Sequence, residues 1–269
     1  QVRLIALSAT VSNAEEFGDW LDTVRGDTEV IVSEIRPVPL EQHVLVRDDL
    51  LPLFDDRAGV ATAQVNQELM RIRSSGSATH ENNSRAQAYR SNRHAGRTAR
   101  PPRGGRRPVR NENARRIERM DRPDVVRLLE RSNLLPAIFF IFSRVGCDAA
   151  VQQVRRAGVR LTSADERAEI REIVEERTRT LQDEDLGVLG YWDWLDNLER
   201  GVAAHHAGLL PAFKEVVEEL YKRKLVKVVF ATETLALGIN MPARTVVLEK
   251  MEKFNGEARV AITSGEYTQ

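Results

Sequence analysis

A chain of 269 residues with 42% hydrophobic and 30% charged content is long enough for about two ordinary domains with buried cores. Its net charge of zero excludes a uniformly basic or acidic protein, and its single cysteine, Cys147, excludes an internal disulfide and a cysteine-based zinc site. No apolar run reaches the ~18 residues of a membrane span, so no membrane partner and a reducing, cytoplasmic setting are expected.

The first apolar run, VRLIAL at residues 2–7, fits a buried strand and ends in the turn Ser8-Ala9-Thr10. SNAEEFGDWL then predicts a capped helix, with Ser12 and Glu15 as a capping box and Phe17, Trp20 and Leu21 on one face. TEVIVSEI predicts the next strand. Arg36-Pro37-Val38-Pro39 cannot continue it as a central strand, so a domain boundary is placed near residue 35.

After the strand-like EQHVLV, a polar tract runs from about residue 66 to 122. It is too poor in apolar residues to fold alone and is expected to be a disordered insertion. Residues 71–119 hold 14 Arg against Glu81, Glu112 and Glu118, a local excess of +11 that the rest of the chain cancels. Order is expected to resume with the all-apolar AIFFIF at 137–142, followed by a helix from Val145 to Ala157.

Ser163 and Glu166 predict a second capping box, opening a charged helix to about Leu181. A further helix begins at Pro211, with Phe213, Val216, Val217, Leu220 and Tyr221 on its buried face and Lys222, Arg223 and Lys224 at its negative end. VKVVFAT and RTVVLE are strands bracketing the loop ETLALGINMPA.

Short apolar strands alternating with amphipathic helices predict an α/β fold, a parallel sheet with helices on both faces. Ligands of such sheets sit beyond the carboxyl ends of the strands. Ser8-Ala9-Thr10, Ser143-Arg144 and Thr232 to Asn240 all fall there. Small hydroxyls suit hydrogen-bond relays and phosphate contacts, and Gly238 permits close backbone approach.

Other candidate chemistries are rejected. Adjacent His205 and His206 on an extended segment point to opposite faces, so no metal site is assigned. Asp183-Glu184-Asp185 reads as a solvated cluster ending a charged helix. Tyr191, Trp192 and Trp194 beside Leu195 and Leu198 read as core. No GxxxxGK[ST] phosphate loop occurs, because the 269 residues contain no Gly-Lys pair.

LSATVSNAEEFGDWL, RPVPLEQHV, IFFIFSR, GVAAHHAGLLP, VVFATETLALGINMPARTVV and KFNGEARVAITSGEYTQ form one ordered series. Together they resemble the superfamily 2 DExH-box RNA helicases of the Ski, or exosome-helper, group, including actinobacterial members. The resemblance implies two RecA-like domains of the P-loop NTPase helicase fold. Residues 1–35 would be the tail of the first and 36–269 most of the second, with the Arg-rich insertion at 66–122.

By that resemblance Ser8, Ala9 and Thr10 form the third motif, coupling the nucleotide site to strand separation. Ser143 and Arg144 form the fourth, and Thr232, Glu233 and Thr234 lie in the fifth, all on the nucleic acid. His206 lies near the same path. Gly238 and Asn240 would face the nucleotide across the cleft, Gln269 would be the first residue of the sixth motif, and ATP and Mg2+ would be bound mainly by other segments of the family's catalytic unit. The resemblance implies ATP-driven RNA unwinding, with RNA-decay machinery as partner, and an ATPase only when other segments are present. A DNA-repair helicase and a non-catalytic RNA-binding module are the alternatives.

RPPRGGRRPVR, residues 100–110, resembles Arg-Gly segments that grip single-stranded RNA through charge and guanidinium stacking. Deleting residues 71–119 is therefore expected to weaken RNA binding and flatten its salt dependence, because fewer counterions are released. Titrations at several salt concentrations check this, and an unchanged slope would remove the role.

Overall fold

The computed structural model describes residues 5, 14–31, 40–55, 64–72, 120–179, 181–236, 241–254, 258–263 and 267. The chain divides into two compact units, Gln1–Glu34 with Asp121–Gln269, and Ile35–Met120.

In the second of these units, the expected strand is β1, His43–Val46, and its antiparallel partner is β2, Asp49–Pro52. The turn of Arg47 and Asp48 reverses the chain, with Arg47 at φ 56°, the left-handed region that tight hairpins need. Asn66 then donates from Nδ2 to the Pro52 carbonyl and caps the following turn through Oδ1. That turn is a short helix, α2, over residues 67–72. Helical order thus reaches past residue 66; residues 73–119 lie outside the described residues.

The first unit opens with α1, Ala14–Arg25. Phe17 stacks on Trp20 at 5.8 Å, yet both rings remain about half exposed, so the expected apolar face exists without a cover among the described residues. Of the strand expected at 28–35, residues 28–31 belong to no ladder. The capping residue Ser12 and the strand at 2–7, apart from Ile5, lie outside the described residues.

A helix precedes AIFFIF: α3 spans Arg122–Arg131, with Pro123 in its first turn and Val125, Val126 and Leu129 buried. Arg122 donates through Nε and Nη2 to both carboxylate oxygens of Glu249, at 2.5 and 2.8 Å, which raises the already high pKa of its guanidinium.

The expected sheet is present. β3 (Ala137–Phe140), β4 (Val202–His205), β5 (Val228–Ala231) and β6 (Thr245–Leu248) run parallel in the order β4-β5-β3-β6. β3 and β5 lie at its centre and are almost wholly buried, while β6 is an edge strand among the described residues, with Val246 55% exposed. The pleat divides their side chains between two layers. Ile138, Ala203, Val229 and Ala231 share one core with α5 (Ala164–Thr178), α7 (Tyr191–Glu199) and α8 (Pro211–Lys222). Phe139 and Phe230, 4.9 Å apart, point to the other face, where α3 and α4 (Arg144–Arg156) bring Val126, Leu129, Cys147 and Val154. Helices therefore cover both faces, as expected of a RecA-like domain. A small hairpin, β7 (Glu252–Phe254) with β8 (Arg259–Ala261), follows the sheet.

The helix predictions rest on sound local chemistry. Ser163 and Glu166 form the full capping box at the start of α5, which ends at Thr178, and the buried face of α8 is Phe213, Val216, Val217, Leu220 and Tyr221. Glu166 does a second task, accepting from Lys227 Nζ at 2.8 and 3.0 Å. Burial raises its carboxyl pKa, but the bonds from Lys227 and Ser163 outweigh burial and hold it below the ordinary value.

Two further expectations fail. Asp183-Glu184-Asp185 does not end a helix; it opens a short one, α6 (Asp183–Val188). Tyr191 is buried and Trp194 stacks on Phe213 at 4.0 Å, but Trp192 is 65% exposed, because consecutive helical residues cannot share one buried face.

Gly201 joins α7 to β4 at φ 78°, and its carbonyl accepts from the Lys227 and Val228 N–H groups. A Cβ there would stand 3.1 Å from Thr162 Cγ2 and 3.2 Å from Leu161 Cβ. Gly201→Ala is expected to cost about 1–3 kcal/mol, read as a lower urea midpoint with an unchanged slope.

Candidate functional site at the carboxyl edge of the sheet

The ladder registers decide what meets at the edge. Phe140 pairs with Ala231 and Leu248, and Ala231 with His205, so the four strands end flush. The next residues are Ile141 to Arg144, His206, Thr232 and Glu249. Two of the expected segments, Ser143-Arg144 and Thr232 to Thr234, are thus gathered along one edge of one sheet, with His206 beside them. Ser8, Ala9, Thr10, Gly238, Asn240 and Gln269 lie outside the described residues.

Ser143 is the N-cap of α4, its Oγ accepting from the Gly146 N–H at 3.1 Å. That cap fixes where the helix starts, and so fixes Arg144 as its first residue. Arg144 is exposed, and its guanidinium has no hydrogen bond or ion pair among the described residues. A cation at the positive end of a helix opposes the backbone dipole, the reverse of the arrangement that stabilises helices. The same position suits an incoming anion, which meets the side chain and the dipole together.

Thr232 follows β5, its N–H donating to the His205 carbonyl at 3.3 Å. Its hydroxyl lies 3.0 Å from that of Thr234. Glu233, Thr234 and Leu235 form a 3-10 turn, Glu233–Ala236, in which Leu235 is buried and the polar side chains face outward. Glu233 is paired with Lys253 Nζ at 2.9 Å.

Both histidines are buried and each is tied to a carboxylate. His205 Nε2 lies 2.9 Å from Glu218 Oε1 on α8. His206 Nε2 lies 3.0 Å from Asp148 Oδ1 on α4, and its Nδ1 accepts from the Gly208 N–H at 3.1 Å. They do point to different partners on different elements, and among the described residues no group of three metal-ligating side chains forms. Sequence reasoning missed Asp148 and Glu218. Asp148 could have been flagged, since it lies four residues after Arg144 and so on the same face of α4.

Cys147 lies under this edge, its Sγ 3.6 Å from the Ile141 carbonyl. A thiol in the first turn of a helix is often acidified by the dipole. Burial wins here and, with the Asp148 charge, pushes the pKa up to about 12. The described residues form no phosphate cradle, so they do not by themselves fit a nucleotide with its magnesium ion. No helix among them is long and apolar enough to cross a membrane.

What this geometry defines is a RecA-like domain whose polar residues collect at the carboxyl edge. No protein-family model matches the chain. It is 54% identical over 270 residues to the probable helicase HelY of Mycobacterium tuberculosis, covering all of this chain and 28% of that protein. It is 37% identical to the chloroplastic DExH-box ATP-dependent RNA helicase DExH15 of Arabidopsis thaliana and 31% identical to the antiviral helicase SKI2 of Saccharomyces cerevisiae, covering all of this chain and 23% of each. The chain belongs to the DExH-box helicases of the Ski group. It spans little more than a quarter of the length of the relatives it most resembles among these.

Iodoacetamide at pH 8 is expected to leave Cys147 unmodified in the folded chain and to alkylate it once the chain is unfolded in urea. Mass spectrometry reads both states, and rapid native labelling would contradict the burial.

Proposed function

We propose that this chain is a nucleic-acid-gripping part of an ATP-dependent RNA helicase that translocates 3′ to 5′ in RNA processing or decay. The observation that carries the reading is Arg144, an uncommitted cation at a helix N-terminus, set on the same sheet edge as the Thr232 and Thr234 hydroxyls. In this reading the Arg144 guanidinium and the first N–H groups of α4 bind one backbone phosphate. The Thr232 hydroxyl binds another, and Lys253 holds Glu233 so that its charge is neutralised beside the strand. His206 supports the path from within. RNA is favoured over DNA because the names of the plant relatives include RNA helicase.

ATP with Mg2+ would supply the free energy of phosphoryl transfer. Ser8, Ala9 and Thr10 would couple its turnover to the strand, and Gly238, Asn240 and Gln269 would approach it. Hydrolysis needs a phosphate-binding loop, and none is encoded in these 269 residues.

Two measurements test the reading. Anisotropy titrations should show single-stranded RNA bound by the 269-residue chain, with Arg144→Ala weakening binding and lowering the salt slope by about 1. Unchanged affinity in that variant would remove Arg144 from the grip, and a preference for DNA would favour the DNA-repair branch. The chain alone should show no sustained ATP turnover with or without RNA; turnover would contradict the proposal.

A further inference from the structure

Arg144 reaches into solvent without any partner for its charge among the described residues, yet its aliphatic stem is not free. A methyl group placed on Gly208 would stand 3.6 Å from Arg144 Cδ, 3.1 Å from His206 Nδ1 and 3.3 Å from His206 Cε1. Gly208 therefore leaves open the narrow space that a side chain would take up beside the arginine stem and the buried imidazole. The imidazole in turn is fixed at both nitrogens. Nδ1 accepts from the Gly208 N–H, so the ring proton must sit on Nε2, where it donates to Asp148 Oδ1. Asp148 lies one turn along α4 from Arg144, and Ser143 caps the start of the same helix.

From this arrangement we infer that Asp148, His206 and Gly208 are positioning residues for Arg144: the carboxylate holds the imidazole, the imidazole holds the Gly208 loop, and the loop sets the direction of the arginine stem. The inference rests on Arg144 gripping nucleic acid, and it explains two otherwise costly features. A half-exposed carboxylate is bonded to a buried, uncharged ring, and a glycine with ordinary backbone angles stands where no Cβ fits without displacement. Neither is needed to close the sheet, whose strands end at His205 and Ala231. An arginine side chain free to sample its rotamers loses that freedom on binding, so fixing its stem beforehand raises affinity without a new contact.

The test uses the purified 269-residue chain, single-stranded RNA anisotropy, and a long-range nitrogen NMR spectrum of the imidazoles. His206 is expected as the neutral Nε2–H form. Asp148→Ala and Gly208→Ala should each weaken RNA binding about 5- to 30-fold, the effect of one or two lost kcal/mol, while thermal unfolding shows a folded chain. Asp148→Asn, which keeps an oxygen acceptor for Nε2–H, should restore most of the affinity lost in Asp148→Ala. Combined with Arg144→Ala, neither substitution should weaken binding further, because a positioning residue acts only through the group it positions. A clear Arg144→Ala defect with additive or absent Asp148→Ala and Gly208→Ala effects overturns the positioning inference alone, as does a His206 protonated on Nδ1. Equal binding by wild type and Arg144→Ala overturns the functional reading beneath it.

Discussion

The in-register parallel pairing of β3 with β5 is the constraint on which the rest depends. Side chains alternate along a strand, so a slip of one residue would send each side chain of the slipped strand to the opposite helix layer, where its neighbours no longer match it. In the observed register Phe139 meets Phe230 on one face and Ile138 stands beside Val229 on the other. The same ladder makes Phe140 and Ala231 end level, and β4 and β6 inherit that level from them. The alignment of Arg144, His206 and Thr232 is thus a by-product of core packing.

Cross-links outside the sheet protect that level. Lys227 meets the α5 cap through Glu166 and the Leu161 carbonyl, and Gly201 accepts two N–H groups from the start of β5. These bonds fix the amino ends of the strands, opposite the candidate site. At the carboxyl end, Arg122 clasps Glu249 immediately after β6. The site therefore sits on a frame held at both ends, which is what the proposed grip on a flexible polymer requires.

Much of the fold was legible because its signals are local. The capping box of Ser163 and Glu166 and the five-residue face of α8 follow from spacing within one helix, and the central strands follow from uninterrupted apolar runs. What escaped was short or concealed by composition. RPDVVRLLER begins where the basic tract expected at 66–122 ends, and its charges mask the helical face of Val125, Val126 and Leu129, while the four residues of DLLP carry little periodicity. At the candidate site, the position of Ser143, Arg144 and Thr232 just after central strands is legible in the sequence, because each follows an apolar run. The Asp148–His206 bond spans 58 residues of sequence, and only the folded sheet brings its partners together.

The edge strand β6 has a consequence of its own for how the chain behaves in concentrated solution. TVVL is a short hydrophobic ribbon, and an edge of this kind is a template for association with another chain. Arg244 precedes it and Glu249 and Lys250 follow it, so charges stand at both ends of the ribbon. The exposed Arg244 and Lys250 carry like charges, and their hydration acts against stacking edge to edge. Glu249, largely shielded and held by Arg122, closes the ribbon from within while Arg244 and Lys250 guard it from without.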